Sequence, residues 1–184
     1  MGKQARNRGI FGAGKEFGEC SGYAVNAAGE PIAQYNGMIG VRKNRVASAA
    51  FTGVLDGNNW EMVEPTGNAG EVLHVLIADE TTSAMFGNQR FQGLSKRTAD
   101  MDIPAGLSVR WYVINPPDFF DIGEKNFTAP VATNGFATIT GFDLTPVAAA
   151  PAAGYYFEIA SSRVSNIGGN DGGNLYMVDL RKNG

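Results

Sequence analysis

Short apolar or alternating runs, separated by turn-forming residues, set the rhythm of this chain. Punctuation recurs about every ten residues or so: Asn36-Gly37, Asp56-Gly57, Thr66-Gly67-Asn68, Asn134-Gly135 and Asp171-Gly172. Between these points, Glu71 to Ala78 is a continuous apolar run that reads as a buried strand. Leu107 to Ile114 alternates and is rich in β-branched and aromatic residues. Gly135 to Thr140, Tyr155 to Ala160 and Leu175 to Leu180 read the same way, and Val46 to Leu55 is a further candidate. The single helical candidate, Thr81 to Leu94, is weakened by its glycines. Strands at this spacing predict an all-β fold, a compact sandwich or barrel of short antiparallel strands. The predicted core is Val72, Leu73, Val75, Leu76, Ile77, Val109, Trp111, Val113, Phe136, Ile139, Phe157, Ile159, Tyr176 and Val178. If the Val72–Ile77 strand is covered on both sides, both of its faces are buried.

Two segments lack this pattern. Residues 12–45 carry many glycines and few large apolar side chains, and end in the basic cluster Arg42-Lys43-Asn44-Arg45. Thr145 to Gly154 is a Pro/Ala-rich connector. The predicted organisation is an extended N-terminal arm and linker over residues 1–45, then one β-rich domain over residues 46–184. No fixed-period repeat occurs, which argues against a solenoid or propeller.

Charge sharpens the picture of the arm. The first fifteen residues, MGKQARNRGIFGAGK, hold Lys3, Arg6, Arg8 and Lys15 and no acid, on a chain whose formal net charge is −3. Such a segment cannot bury enough apolar surface to offset its ordering entropy, so alone it should be a flexible basic arm. A basic arm on an acidic body suggests a part that threads onto a partner. With Arg42, Lys43 and Arg45, seven cations face only Glu16, Glu19 and Glu30 in the first 45 residues. These seven are the candidate partner-binding residues. Hydrophobic residues at 43% and charged residues at 18% describe a folded protein with an unusually uncharged surface. No run approaches the roughly 18 apolar residues of a membrane helix, so no membrane association is expected. The N-terminal cations are not followed by an apolar stretch, so no secretory signal is predicted. Cys20, the lone cysteine, permits no internal disulfide and no cysteine-based zinc site, which suggests synthesis in a reducing cytosol.

The catalytic signals are decoys. Gly9 to Lys15 fits the first part of a phosphate-binding loop, but Glu16 stands where Ser or Thr would ligate magnesium, and no hydrophobic strand precedes it. His74, the only histidine, sits inside an apolar strand with no nucleophile elbow nearby, which favours a structural histidine. Asp79, Glu80, Asp100, Asp102, Asp118, Asp121 and Glu124 read as caps and turns; glycosidase chemistry would need two of them at a set separation. Gly168 to Asn174 resembles one turn of a calcium-binding β-roll, but one copy cannot complete an oxygen shell and reads as a hairpin loop. No catalytic residue, cofactor or metal is expected, and the chain is read as a non-enzyme.

A family resemblance lies in the middle of the chain. Gly70-Glu-Val-Leu-His-Val-Leu-Ile-Ala-Asp-Glu80 is followed by Phe91-Gln-Gly-Leu94, then by Pro104 to Ile114 and Asp118-Phe-Phe-Asp-Ile122. This succession resembles the small β-rich decoration, or head-stabilising, proteins of tailed bacteriophages, over roughly Gly70 to Thr128. The resemblance implies a virion structural protein that binds the outside of an icosahedral capsid and cements neighbouring subunits. Its partners would be major capsid protein subunits, with copies of this chain forming a homo-oligomer on the capsid. The protein would be made in the host cytoplasm and reside on the virion surface. A flexible arm suits that role because it orders only in the complex, where it can add a strand to a sheet edge. The alternatives are another phage part (tail-tube, head–tail joining or fibre-base protein) and a carbohydrate-binding β-sandwich. The last would need Trp60, Trp111, Tyr112, Tyr155 and Tyr156 as an exposed platform, whereas the plainer expectation is that these aromatics fill the core. Nucleic acid is disfavoured, because four arm cations on a net acidic protein give weak, salt-sensitive attachment.

Overall fold

The computed structural model describes residues 5–9, 19–47, 55–77, 84–86, 89–91, 102–164 and 173–184. The described residues form an all-β architecture of thirteen strands and one 3-10 turn. Five strands close into a barrel: β2 (Glu19–Ala24), β3 (Ile39–Ala47), β4 (Leu55–Val63), β5 (Leu73–Leu76) and β8 (Val109–Val113), in the order β2-β4-β3-β5-β8. The β2–β4 pair is parallel and the other pairs are antiparallel, with β8 returning to β2 to close the ring. Six strands form a second, antiparallel sheet. They are β1 (Ala5–Gly9), β9 (Phe119–Gly123), β10 (Phe136–Thr140), β11 (Asp143–Val147), β12 (Gly154–Val164) and β13 (Asn174–Asn183), ordered β1-β9-β13-β12-β10-β11. β6 (Ala84–Phe86) and β7 (Gln89–Phe91) pair with each other as a two-stranded sheet.

Alternation explains how the layers join. On β13, Tyr176, Val178 and Leu180 are buried, while Met177, Asp179 and Arg181 between them are half-buried. Across the ladder, Phe157 sits opposite Leu180 and Ile159 opposite Val178, so their side chains share that inner face. Phe120 meets Phe157 edge-on at 5.9 Å. This apolar face packs with Ile39, Leu73, Val75 and Ile114 of the barrel side in one continuous core. A second cluster fills the barrel interior: Cys20, Ala24, Met38, Met62, Leu76, Trp111 and Phe142. β5 therefore belongs to both cores, Leu73 and Val75 to one and Leu76 to the other.

Buried polar groups tie the loops to this frame. Gln34 accepts the Ala24 N–H at 3.1 Å and donates to the Leu107 carbonyl at 2.7 Å. Asn126, in the 3-10 turn Glu124–Asn126, donates to the Asn36 carbonyl at 2.9 Å. Tyr35 donates its hydroxyl to Asp143 at 2.9 Å, and burial with that carboxylate beside it pushes the phenol well above its ordinary range. Each pairing satisfies a group that would be costly to bury alone.

Several sequence expectations shift. The arm-and-linker boundary at residue 45 cuts through β3, and residues 19–24 and 39–45, read as linker, are barrel strands. The physical reason is steric. A Cβ at Gly22 would overlap the Trp60 carbonyl oxygen, and one at Gly40 would press tightly on the Trp111 ring. Glycine in these strands marks close packing, not a loop. Val46 and Leu55 are the end of β3 and the start of β4 rather than one strand, with residues 48–54 outside the described residues. Within the helical candidate Thr81–Leu94, the described residues are the paired strands β6 and β7. Thr145–Val147 belong to β11, so the Pro/Ala connector is shorter than read. Val72 is 48% exposed, one residue before β5 begins. Val109, Val113, Phe136 and Ile139 are half-buried, and the other predicted core residues are buried.

Candidate functional site

The basic cluster lies on β3. Arg42, Lys43 and Arg45 are all exposed there, and Trp60 stands beside them on β4. In a regular strand, residues three apart point to opposite faces. Here the register runs Arg42 opposite Met62 and then Arg45 opposite Trp60, so β3 uses one more residue than β4 over this interval. This is a β-bulge, and the extra residue resets the alternation. Both guanidinium groups consequently reach the same indole, at 5.0 Å for Arg42 and 5.1 Å for Arg45 from the ring centroid. Such contacts are worth about 0.5–1 kcal/mol each at exposed sites. Asn44 donates to Glu61 at 3.1 Å, which holds the neighbouring pair of the two strands.

The two guanidiniums have no carboxylate partner among the described residues. Their field reaches inward to two titratable groups. Burial pushes the Cys20 thiol up to about 11, against the opposing pull of the Arg42 charge. Burial pushes His74 down to about 4, and Arg42 adds to that, while the Val72 carbonyl pulls the other way. His74 Nδ1 lies 3.0 Å from that carbonyl, which fixes a neutral tautomer donating there. Its Nε2 is buried without a hydrogen-bond partner among the described residues. Cys20 and His74 are thus deeply buried groups held in their neutral forms.

The N-terminal cations are placed only in part. Arg6 and Arg8 lie on β1, which pairs antiparallel with β9 at the edge of the six-stranded sheet. Ala5 is opposite Ile122, Arg6 opposite Asp121 and Asn7 opposite Phe120, with an irregularity before Gly9. A strand can be added in this way by main-chain bonds without a core of its own, and so this part of the arm is paired although its composition lacks large apolar residues. Lys3 and Lys15 lie outside the described residues, as does nearly all of the Gly9–Lys15 motif.

The remaining candidates separate. Asp121, 2% exposed, pairs with Arg163. Asp118 closes the turn at Asn115 by accepting its N–H at 2.8 Å, in a loop that contains the cis Pro116–Pro117 bond. Exposed Glu124 reaches the Asn174 side chain at 3.4 Å. Asp102 is exposed, whereas Asp79, Glu80 and Asp100 lie outside the described residues. The pairing of Val164 with Asn174 makes the glycine-rich segment the connection of a hairpin; its residues 168–172 lie outside the described residues. Of the five proposed platform aromatics, Trp111 is fully buried and donates its indole N–H to the Gly22 carbonyl, while Trp60, Tyr112, Tyr155 and Tyr156 are half-buried. Trp60 is the residue that sequence reasoning missed at the basic cluster, because register across a bulge leaves no local signal.

Comparison with protein families, with curated proteins and with solved structures finds no match to this chain.

Proposed function

We propose that this chain is a virion structural protein that binds the outside of an icosahedral capsid and cements neighbouring subunits. The observation that carries this reading is β1. A basic N-terminal strand is held on a sheet edge by main-chain pairing with β9. Edge pairing of this kind is the same chemistry by which a terminal segment joins two subunits of an assembly. The frame behind it suits a load-bearing part, since the barrel and the six-stranded sheet share one apolar core. The exposed cations Arg42, Lys43 and Arg45 offer a second contact, directed at acidic surface on major capsid protein subunits. Association of several copies on the capsid belongs to the same reading.

The test is gold labelling of the tagged chain on purified virions, imaged by electron microscopy. Label distributed over the head in icosahedral arrangement is the expected result. Label confined to the tail, the head–tail junction or the fibre base would replace cementing by another virion role, and unlabelled virions would overturn the reading.

A further inference from the structure

The Arg42–Trp60–Arg45 arrangement has a property that the cations alone would not. Two like charges that repel each other are gathered at one ring, and no carboxylate among the described residues lies within ion-pair distance of either. Each guanidinium carries five N–H donors, so contact with the ring leaves donors to offer outward. A bound oxyanion would relieve the repulsion and satisfy those donors by forked, charge-assisted hydrogen bonds. The bulge fixes both strands of the seat, so little ordering remains to be done on binding.

We infer that Arg42 and Arg45, braced on Trp60, form a paired seat for the carboxylates of an acidic segment on a partner protein. The inference rests on the proposed role as a docking protein and names the chemistry of the partner's surface. One observation favours a protein carboxylate over a nucleic-acid phosphate. Single-stranded nucleic acid is held largely by stacking bases on open aromatic faces, and here the arginines already lie over the indole. Trp60 acts as a positioning residue, because both cations lie against its ring, at 5.0 Å and 5.1 Å from the centroid.

The experiment follows the two indole N–H signals of the full chain by ¹H–¹⁵N nuclear magnetic resonance. Trp111, buried and hydrogen-bonded to Gly22, is the internal control. The probes are hexaglutamate, inorganic phosphate and a short oligothymidylate, each at the same ionic strength. With hexaglutamate the Trp60 signal should move saturably while Trp111 stays fixed. Binding should weaken by at least about tenfold in Arg42→Gln/Arg45→Gln, and several-fold in Arg42→Lys/Arg45→Lys, because lysine keeps the charge but not the fork. An unmoved Trp111 signal in each variant reports an intact barrel. A Trp60 signal that ignores hexaglutamate overturns the inference, as does equal binding by the lysine variant. Tighter binding of oligothymidylate would assign the seat to nucleic acid, and equal binding of phosphate would reduce it to a general anion site. No particle enters this measurement, so its failure leaves the virion-labelling result standing, and the converse also holds.

Discussion

Trp111 on β8 donates its indole N–H to the main-chain carbonyl of Gly22 on the neighbouring strand β2, at 3.3 Å. The same glycine lets β2 lie against β4, since a Cβ there would collide with the Trp60 carbonyl oxygen. Gly22→Ala should therefore destabilise the fold by about 1–3 kcal/mol, as overpacking of a rigid site does. Gly70→Ala is the control: nothing lies within 4 Å of a Cβ at that position. Its effect should stay within about 0.5 kcal/mol. Urea unfolding of the two variants decides it, and equal midpoints would contradict the close β2–β4 approach.

β5 bridges two cores, and substitutions along it should show this. Leu73→Ala opens the core shared with the six-stranded sheet, and Leu76→Ala opens the barrel interior. Each should cost about 2–5 kcal/mol. Val72→Ala, at a 48% exposed position, should stay within about 0.5 kcal/mol. A large loss at only one of the two leucines would mean that β5 is covered on one face alone.

Those strands show what the sequence could and could not reveal. β8, β12 and β13 were readable because alternating apolar residues report one buried face, and the turn dipeptides bounded them. β2 and β3 were not. Their inward positions include Gly22 and Gly40, small because Trp60 and Trp111 crowd them, and small residues in a strand look like a loop. The Arg42–Arg45 cations were visible as a cluster, but their common ring was not. It depends on an extra residue in β3 relative to β4, a property of pairing rather than of either strand. Likewise Asp121 reads as a loop acid until the sheet brings Arg163, on another strand, to it.

His74 should make stability depend on pH. Burial and the Arg42 charge lower its pKa in the folded state to about 4 from an ordinary 6.5. Below pH 6.5 the unfolded chain then binds the proton more readily than the folded one, so folding loses stability as pH falls. The stabilising effect is fully present above pH 6.5 and is lost progressively down to pH 4. Between pH 7 and pH 5 the loss should be about 2 kcal/mol, from the linkage of one proton. His74 is the only histidine, so His74→Gln should flatten the stability profile in that window. A wild-type profile already flat between pH 5 and pH 7 would show that the ring takes its proton without opening the barrel.

Cys20 should be chemically silent in the folded protein. It is 4% exposed, and burial holds its thiol at about 11, so little thiolate exists at pH 8. Ellman's reagent at pH 8 should label it slowly in buffer and rapidly in denaturing urea. The labelling rate should fall in proportion to unfolding as urea is lowered. Rapid modification in buffer would place Cys20 at an accessible site of the barrel and reopen a reactive role for it.

Removing residues 1–9 should leave the fold and change its associations. β1 contributes a main-chain ladder to β9, whereas the described core clusters are built from residues that follow it. The truncated chain should therefore keep its far-ultraviolet circular dichroism and melt cooperatively. It would also expose the N–H and C=O groups of Phe119–Ile122 that β1 had paired. An uncovered edge is a template for another strand, so the truncated protein should self-associate with rising concentration in sedimentation velocity while the full chain does so less. A synthetic peptide of residues 1–9 added in excess should reverse that self-association by refilling the edge. Arg6 stands opposite the buried Asp121 in this register, so a peptide with Arg6→Glu should refill it poorly. A truncated protein that sediments like the full chain at every concentration would mean that the β9 edge does not govern association. Loss of cooperative melting would instead make β1 an integral part of the fold, and not a separable strand.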